Sequence, residues 1–221
     1  MWGDAAQQRA FAEIYPLWYG TIDERNKHGA VQRLLPMADQ GYAPAMFAVG
    51  WAYFTAEGVR RDYVKSFRWC MGAAEQGYPS AEGMLGSFYV MARPAHRACE
   101  LDPAEAARWY RLAAEHGNSG GGYNLASQYL RGYGVERSAA QAYVWASLAV
   151  HCSPIRSIPA EVLRDQAAAG LAPEEKVTAQ ELIQRLSRSL PHPWSEHMTY
   201  WRMLASSASI VRKGGSHEST A

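Results

Sequence analysis

Three stretches of the 221-residue chain share one frame of small and aromatic residues, and a recurrence of that kind limits the fold more tightly than composition does. Glycines open the stretches at Gly41, Gly77 and Gly117. Tyr53, Tyr89 and Tyr129 correspond at spacings of 36 and 40 residues, and Trp69, Trp109 and Trp145 at spacings of 40 and 36. An insertion of four residues in the second stretch, around 92–101, explains both irregular spacings. The small residues Gly50, Gly86 and Ala126 keep the same frame.

Each unit divides into two helices, A and B. In the first unit Ala45, Val49, Ala52 and Tyr53 recur at helical spacing over about 44–55, and Phe67, Cys70 or Met71, and Ala74 do so over about 63–76. The 37 alanines, against 22 valines, isoleucines and threonines together, favour helices and exclude most β architectures. The turn Glu57-Gly58-Val59, matched by Tyr133-Gly134-Val135, reads as the C-cap of helix A, with glycine at positive φ. Gly77 and Gly117 read as the stops of helix B. A glycine inside a helix costs about 1 kcal/mol relative to alanine, so Gly50 and Gly86 imply a neighbouring helix too close for a side chain. The recurring Tyr and Trp fill the wedge that remains. Hairpins that each bury a face on the next form a solenoid.

The frame Gly-x-x-x-Ala-x-x-x-Leu-Gly-x-x-Tyr, then Gly-x-Gly-Val, then Ala-x-x-Trp-Tyr-x-x-Ala-Ala-Glu-x-Gly resembles the Sel1-like repeat, a bacterial and eukaryotic relative of the tetratricopeptide repeat. Here it is carried by Ala81, Leu85, Gly86 and Tyr89, by Gly132, Gly134 and Val135, and by Ala106, Trp109, Tyr110, Ala113, Ala114, Glu115 and Gly117. The second unit lacks the Gly-x-Gly-Val turn, so its loop, with Pro94, His96 and Cys99, is expected to bulge from the array. The third has Gly121 where alanine is expected, flanked by Gly120 and Gly122, which weakens the start of its helix A. The resemblance implies an all-α, right-handed superhelical solenoid of three to four helix hairpins, covering about 26–190, with no catalysis and no cofactor.

The expected organisation is a leading helix pair or degenerate repeat over 1–40, repeats over 41–77, 77–117 and 117–152, and a capping helix pair over 153–190. In that cap Ile155, Ile158, Val162, Leu163 and Ala167 keep helical spacing, and Pro173 opens a second helix with Ala179, Leu182, Ile183, Leu186 and Leu190. An amphipathic helix over 191–211, with Trp194, Met198 and Trp201 on one stripe, and a disordered tail over 212–221 complete the reading.

Charge and cysteine content exclude other classes. A formal net charge of +1 offers no field to steer nucleic acid or an anionic membrane. No stretch approaches the roughly 20 apolar residues that span a bilayer. Asp4, Arg9 and Glu13 interrupt any secretory apolar segment, so a cytoplasmic protein is expected, or a periplasmic one if a leader was removed. Cys70, Cys99 and Cys152 form no CxxC and have no histidine at zinc spacing; His151 beside Cys152 does not make a site. None of the seven histidines belongs to an HExxH pattern, and His116 reads as a surface replacement for Gln76. The run Gly117-Asn118-Ser119-Gly120-Gly121-Gly122 looks like a phosphate loop, but no strand precedes it and no Lys-Ser/Thr follows.

What remains is surface. A monomer binding another protein, as an adaptor or scaffold, is expected. On the concave helix-A side the positions that the packing frame does not use include Met46, Trp51, Glu82, Ser87, Phe88, Tyr123, Ser127 and Gln128, with Trp194 and Trp201 as further partner-binding candidates. Trp51 and Phe88 either line a groove for an extended segment or helix, or pack between units. Relatives in the family include regulators of secretion and signalling and immunity proteins that neutralise a toxic effector, so neutralisation of a cognate toxin is the alternative role. A small-molecule binder or enzyme would instead need the 92–101 loop and the 117–122 turn to enclose a polar pocket. Membrane attachment through the Trp194 to Ala208 helix is disfavoured by the scarcity of Lys and Arg on its polar face.

Overall fold

The computed structural model describes residues 2–19, 24–91, 98–153 and 157–190. Among them ten helices follow one another with no strand: α1 (Ala5–Tyr19), α2 (Glu24–Asp39), α3 (Ala43–Thr55), α4 (Tyr63–Ala74), α5 (Pro79–Met91), α6 (Pro103–Glu115), α7 (Ser119–Arg131), α8 (Ala139–Cys152), α9 (Ile158–Ala169) and α10 (Pro173–Ser189). From α1 to α9 each helix packs on its neighbours in sequence and α10 packs back on α8, so the hairpins α3/α4, α5/α6 and α7/α8 stack as a right-handed solenoid. No described helix is long and apolar enough to cross a membrane.

The frame acts first through the turns. Asp62, Asp102 and Ser138 occupy equivalent positions, and each side chain caps a B helix by accepting from a backbone N–H of its first turn. The backbone N–H of each capping residue donates to the carbonyl of the recurring tyrosine, Tyr53, Tyr89 or Tyr129, at 3.1, 3.1 and 3.0 Å. A carbonyl orphaned at the end of helix A is thereby satisfied by the start of helix B. Helix B ends alike in successive units. Gly41, Gly77 and Gly117 all take positive φ, and the N–H of the following residue reaches back to the carbonyls of Met37, Ala73 and Ala113.

The expected C-caps of helix A need correction. The capping residues are Ala56 (φ 66°) and Gly132 (φ 68°), two residues before Gly58 and Gly134. The later glycines also have positive φ, and they carry a second constraint: a Cβ on Gly58 would lie 2.5 Å from the Lys27 carbonyl carbon, and one on Gly134 2.2 Å from that of Pro103. Each turn therefore rests its backbone on the preceding unit. The glycine-rich start of α7 also differs from expectation. Asn118 caps it by accepting from the Gly121 N–H at 2.8 Å, and a Cβ on Gly121 would meet Ala113 Cβ at 2.6 Å. Those glycines permit contact with α6 and α8, and helical entropy is given up for close approach.

Three apolar clusters run along the array. Val49, Leu85 and Leu125 are frame-equivalent and wholly buried, each contributing about 1.5–3 kcal/mol of burial. Gly50 and Gly86 are close-approach sites as expected: a Cβ would meet Cys70 Sγ at 2.7 Å in one unit and the Tyr110 ring at 2.5 Å in the next. In the capping pair the buried stripe is Ala160 and Ala167 with Leu163 against the core, whereas Ile158 and Val162 are exposed. Small residues let α9 lie flat on α8, and the larger β-branched side chains turn outward. Ile155, Trp194 and Trp201, the part of the second unit's loop that holds Pro94 and His96, the expected 191–211 helix and the expected tail at 212–221 lie outside the described residues.

Candidate protein-interaction surface

Helix α3 places Phe47, Trp51 and Phe54 on one stripe, at i, i+4 and i+7. Their rings continue a contact chain from Trp2 through Tyr78, Phe47, Trp51 and Phe54 to Phe88, Phe67 and Tyr89, with centroids 5.0–6.1 Å apart. Tilted and edge-on geometry of this kind is favourable between aromatic rings. Trp51 stands at the centre of the row and is 37% exposed, while its frame mates are Ser87 and Ser127. The solenoid therefore does not demand a ring at this position.

The other described candidates separate into two groups. Phe88 is buried between Phe54 and Phe67, so it belongs to the packing between units rather than to an open groove. Gln128, its frame mate, is buried too, donating from Nε2 to the Pro103 carbonyl at 3.0 Å. Glu82 is 1% exposed. All three are buried, Phe88 in the packing between units that was one of its two readings. Met46, Ser87, Tyr123 and Ser127 are half-buried. Met46 packs against two of the core clusters, and Ser87 Oγ donates to the Gly83 carbonyl and shares a hydrogen bond with Tyr110 Oη. The enzyme-like arrangement fares no better in its described parts. Cys99 is half-buried against the cluster that holds Phe88, and the glycines at 121 and 122 are filled by helix contacts. Among the described residues no three His, Cys, Asp or Glu side chains converge as metal ligands.

One polar pair was missed by sequence reasoning. His116 was read as a surface replacement for Gln76, yet its Nδ1 lies 2.8 and 2.9 Å from the two carboxylate oxygens of buried Glu82. The first repeat explains the arrangement. There Gln76 Nε2 donates to the Gly41 carbonyl at 2.9 Å and lies 3.4 Å from Met46 Sδ. Met46 and Glu82 are frame mates, as are Gln76 and His116, so a Gln–Met contact has become a His–Glu contact. Burial pushes the Glu82 pKa above its ordinary value, and nearby Glu115 adds to the rise; the hydrogen bond and charge of His116 pull it back only in part.

A raised folded-state pKa means that the stabilising contribution is fully present below the unfolded value of about 4.3 and is lost as pH rises through the folded one. Glu82→Gln removes that titration but keeps a hydrogen-bonding partner for His116. The melting temperature of the wild type minus that of Glu82→Gln is expected to fall as pH rises from about 4. A difference that stays flat or grows over that interval would refute this account of Glu82.

Residues 43–78, 80–118 and 123–152 match the Sel1 repeat family. Among solved structures, a Sel1 repeat protein from Oxalobacter formigenes superposes with a TM-score of 0.62 at 19% identity, over 81% of this chain and 73% of that one. The protective antigen c5321 of uropathogenic Escherichia coli strains, with an SLR fold, gives a TM-score of 0.48 at 21% identity, over 97% of this chain and 50% of that one. Among curated proteins, the ERAD-associated E3 ubiquitin-protein ligase component HRD3B of Arabidopsis thaliana is 30% identical over 106 residues, which are 48% of this chain. The match spans only 16% of the length of that relative.

Proposed function

We propose, from the premise that this chain belongs to the Sel1-repeat family of α-solenoids, that it binds a protein partner through the aromatic stripe of α3, with Trp51 as the anchor. The fold class is a non-catalytic interaction scaffold, and HRD3B, the curated relative, is named as a component of a ubiquitin-protein ligase. The observation that carries the reading is the exposure of Trp51 in a row whose other rings are half-buried or, for Phe88, buried. Exposed tryptophans set among packed rings provide large contact area at low entropic cost, and they dominate binding energy where they are found in interfaces.

Trp51→Ala tests this directly. The variant is expected to melt within about 1 kcal/mol of the wild type, because the ring is not enclosed. Its affinity for the partner is expected to fall about tenfold or more. A photo-crosslinking residue placed at position 51, followed by capture from native lysate, identifies that partner. A stoichiometric folded toxin would make the role neutralisation, whereas a protein whose isolated peptide competes would make it segment binding. A partner retained equally by wild type and Trp51→Ala would sink the proposal.

A further inference from the structure

The turn between helices A and B borders an open cleft in two of the repeats, and the two clefts differ in charge. The first has a volume of about 830 Å³, with Tyr53 and Val59 on its floor and His28, Arg60, Arg61, Asp62 and Lys65 around it. The other, of about 530 Å³, is built from the frame mates of that floor, Tyr129 and Val135, with Glu136, Arg137, Ser138 and Gln141 around it. Arg60 thus corresponds to Glu136, Lys65 to Gln141 and Asp62 to Ser138, while Arg61 and Arg137 agree. The third repeat forms the same capped turn without cations at the first two positions. Packing therefore accounts for the tyrosine, the valine and the capping residue, and leaves Arg60 and Lys65 unexplained.

The basic cleft is also pre-arranged. Lys65 Nζ lies 5.2 Å from the centroid of the Tyr53 ring, and Arg61 Cζ lies 6.0 Å from that of Tyr63. Arg61 also donates from Nη2 to the Thr55 carbonyl at 3.4 Å. Held this way, the cations lose less freedom when a ligand arrives. Three exposed cations face one carboxylate, that of Asp62, which accepts from the Lys65 N–H as a helix cap and lies 3.9 Å from Lys65 Nζ. The neighbouring Glu57 is 3.9 Å from Lys27. Among the described side chains the cleft is therefore net positive, in a chain whose formal net charge is only +1.

We propose that this cleft docks an acidic segment of a partner protein. Its carboxylates are taken by Arg60, Arg61 and Lys65, with the guanidinium forks offering paired donors, and an apolar side chain between them rests on Val59. A nucleic acid fits less well. Three cations neutralise too few phosphates for binding driven by counterion release, and Lys65 already occupies the face of Tyr53 on which a base would stack. The site is separate from the Trp51 stripe and does not depend on it.

The test uses the full chain and a fluorescein-labelled dodecapeptide of alternating glutamate and leucine, read by anisotropy at low and high salt. Wild type is expected to bind it, more weakly as salt rises. Arg60→Glu/Arg61→Glu/Lys65→Glu is expected to weaken binding about tenfold or more, and Arg137→Glu in the third-repeat cleft to leave it unchanged. Should the triple variant not fold, Arg60→Gln/Lys65→Gln, which removes two exposed charges and keeps the Asp62 cap, is expected to lose about threefold. Trp51→Ala is expected to bind the peptide like the wild type. The proposal is overturned by absence of peptide binding, by equal binding of the charge variants, or by tighter cleft-dependent binding of a single-stranded oligonucleotide of the same charge. Peptide binding lost in Trp51→Ala but kept in the charge variants would overturn it while supporting the aromatic stripe.

Discussion

Gly134→Ala is expected to destabilise the chain by about 3–5 kcal/mol, lowering the melting temperature by roughly 10 °C or more. Two costs combine. The left-handed backbone at φ 74° costs an L side chain about 1–2 kcal/mol, and the new methyl carbon would sit 2.2 Å from the Pro103 carbonyl, on backbone that cannot rotate away. Gly132→Ala separates the two. Gly132 also has positive φ, but there a Cβ meets only the Arg137 side chain, at 3.2 Å, and the backbone no nearer than 3.6 Å. Its frame mate in the first repeat, Ala56, already holds the left-handed conformation with a side chain. Gly132→Ala is therefore expected to cost about 1–2 kcal/mol, measured by urea titration on the same footing. Equal costs for the two variants would mean that backbone conformation, and not contact between repeats, explains Gly134.

Trp145→Ala is expected to cost about 3–5 kcal/mol. Unlike its half-buried mates Trp69 and Trp109, Trp145 is enclosed by the cluster that includes Tyr110, Leu125 and Leu148, with Arg111 stacked 5.2 Å from its ring. Its indole N–H has no hydrogen-bond acceptor among the described residues, so the ring contributes volume rather than a hydrogen bond. Trp145→Phe is accordingly expected to recover most of the loss. A phenylalanine variant as unstable as the alanine one would show that the indole N–H contributes after all. The contrast with Trp51→Ala is informative: one frame carries tryptophans whose removal empties a core and another whose removal leaves the fold standing.

Much of the architecture was legible because the frame mixes two unlike signals. Glycines and alanines at fixed places report where helices touch, and the tyrosines and tryptophans report what fills the gaps. The helix pairs and close-approach glycines followed from that alone. The binding face did not. Phe88, Glu82 and Gln128 lie on A helices that are covered by their own B helix and by adjoining units, and helical periodicity in one strand of sequence does not say which stripes a later unit will cover. The Glu82–His116 pair left a fainter trace. Two frame positions, Met46 and Gln76, changed together to a carboxylate and an imidazole in the same unit, and paired change within a repeat is a signal of contact that treating His116 alone overlooked. Ile158 and Val162 keep helical spacing yet stay exposed, because the face of α9 turned to α8 is the one that carries Ala160 and Ala167.

The two rims of the solenoid are fastened differently. At the A to B turns, Gly58 and Gly134 set backbone directly on backbone of the preceding unit. At the B to A turns themselves, successive turns are tied by side chains, Gln76 to the Gly41 carbonyl and His116 to Glu82, and Gly41 has no atom within 4 Å of where a Cβ would sit; backbone approach on this side begins only inside α7, where a Cβ on Gly121 would lie 3.0 Å from the Tyr110 carbonyl oxygen. Backbone contacts of this kind do not slide, whereas side-chain tethers lengthen by rotamer changes. A change in the curvature of the array is therefore expected to pivot on the glycine rim, like a fan opened from its rivet, with the displacement growing toward the side where the imidazole and carboxylate meet.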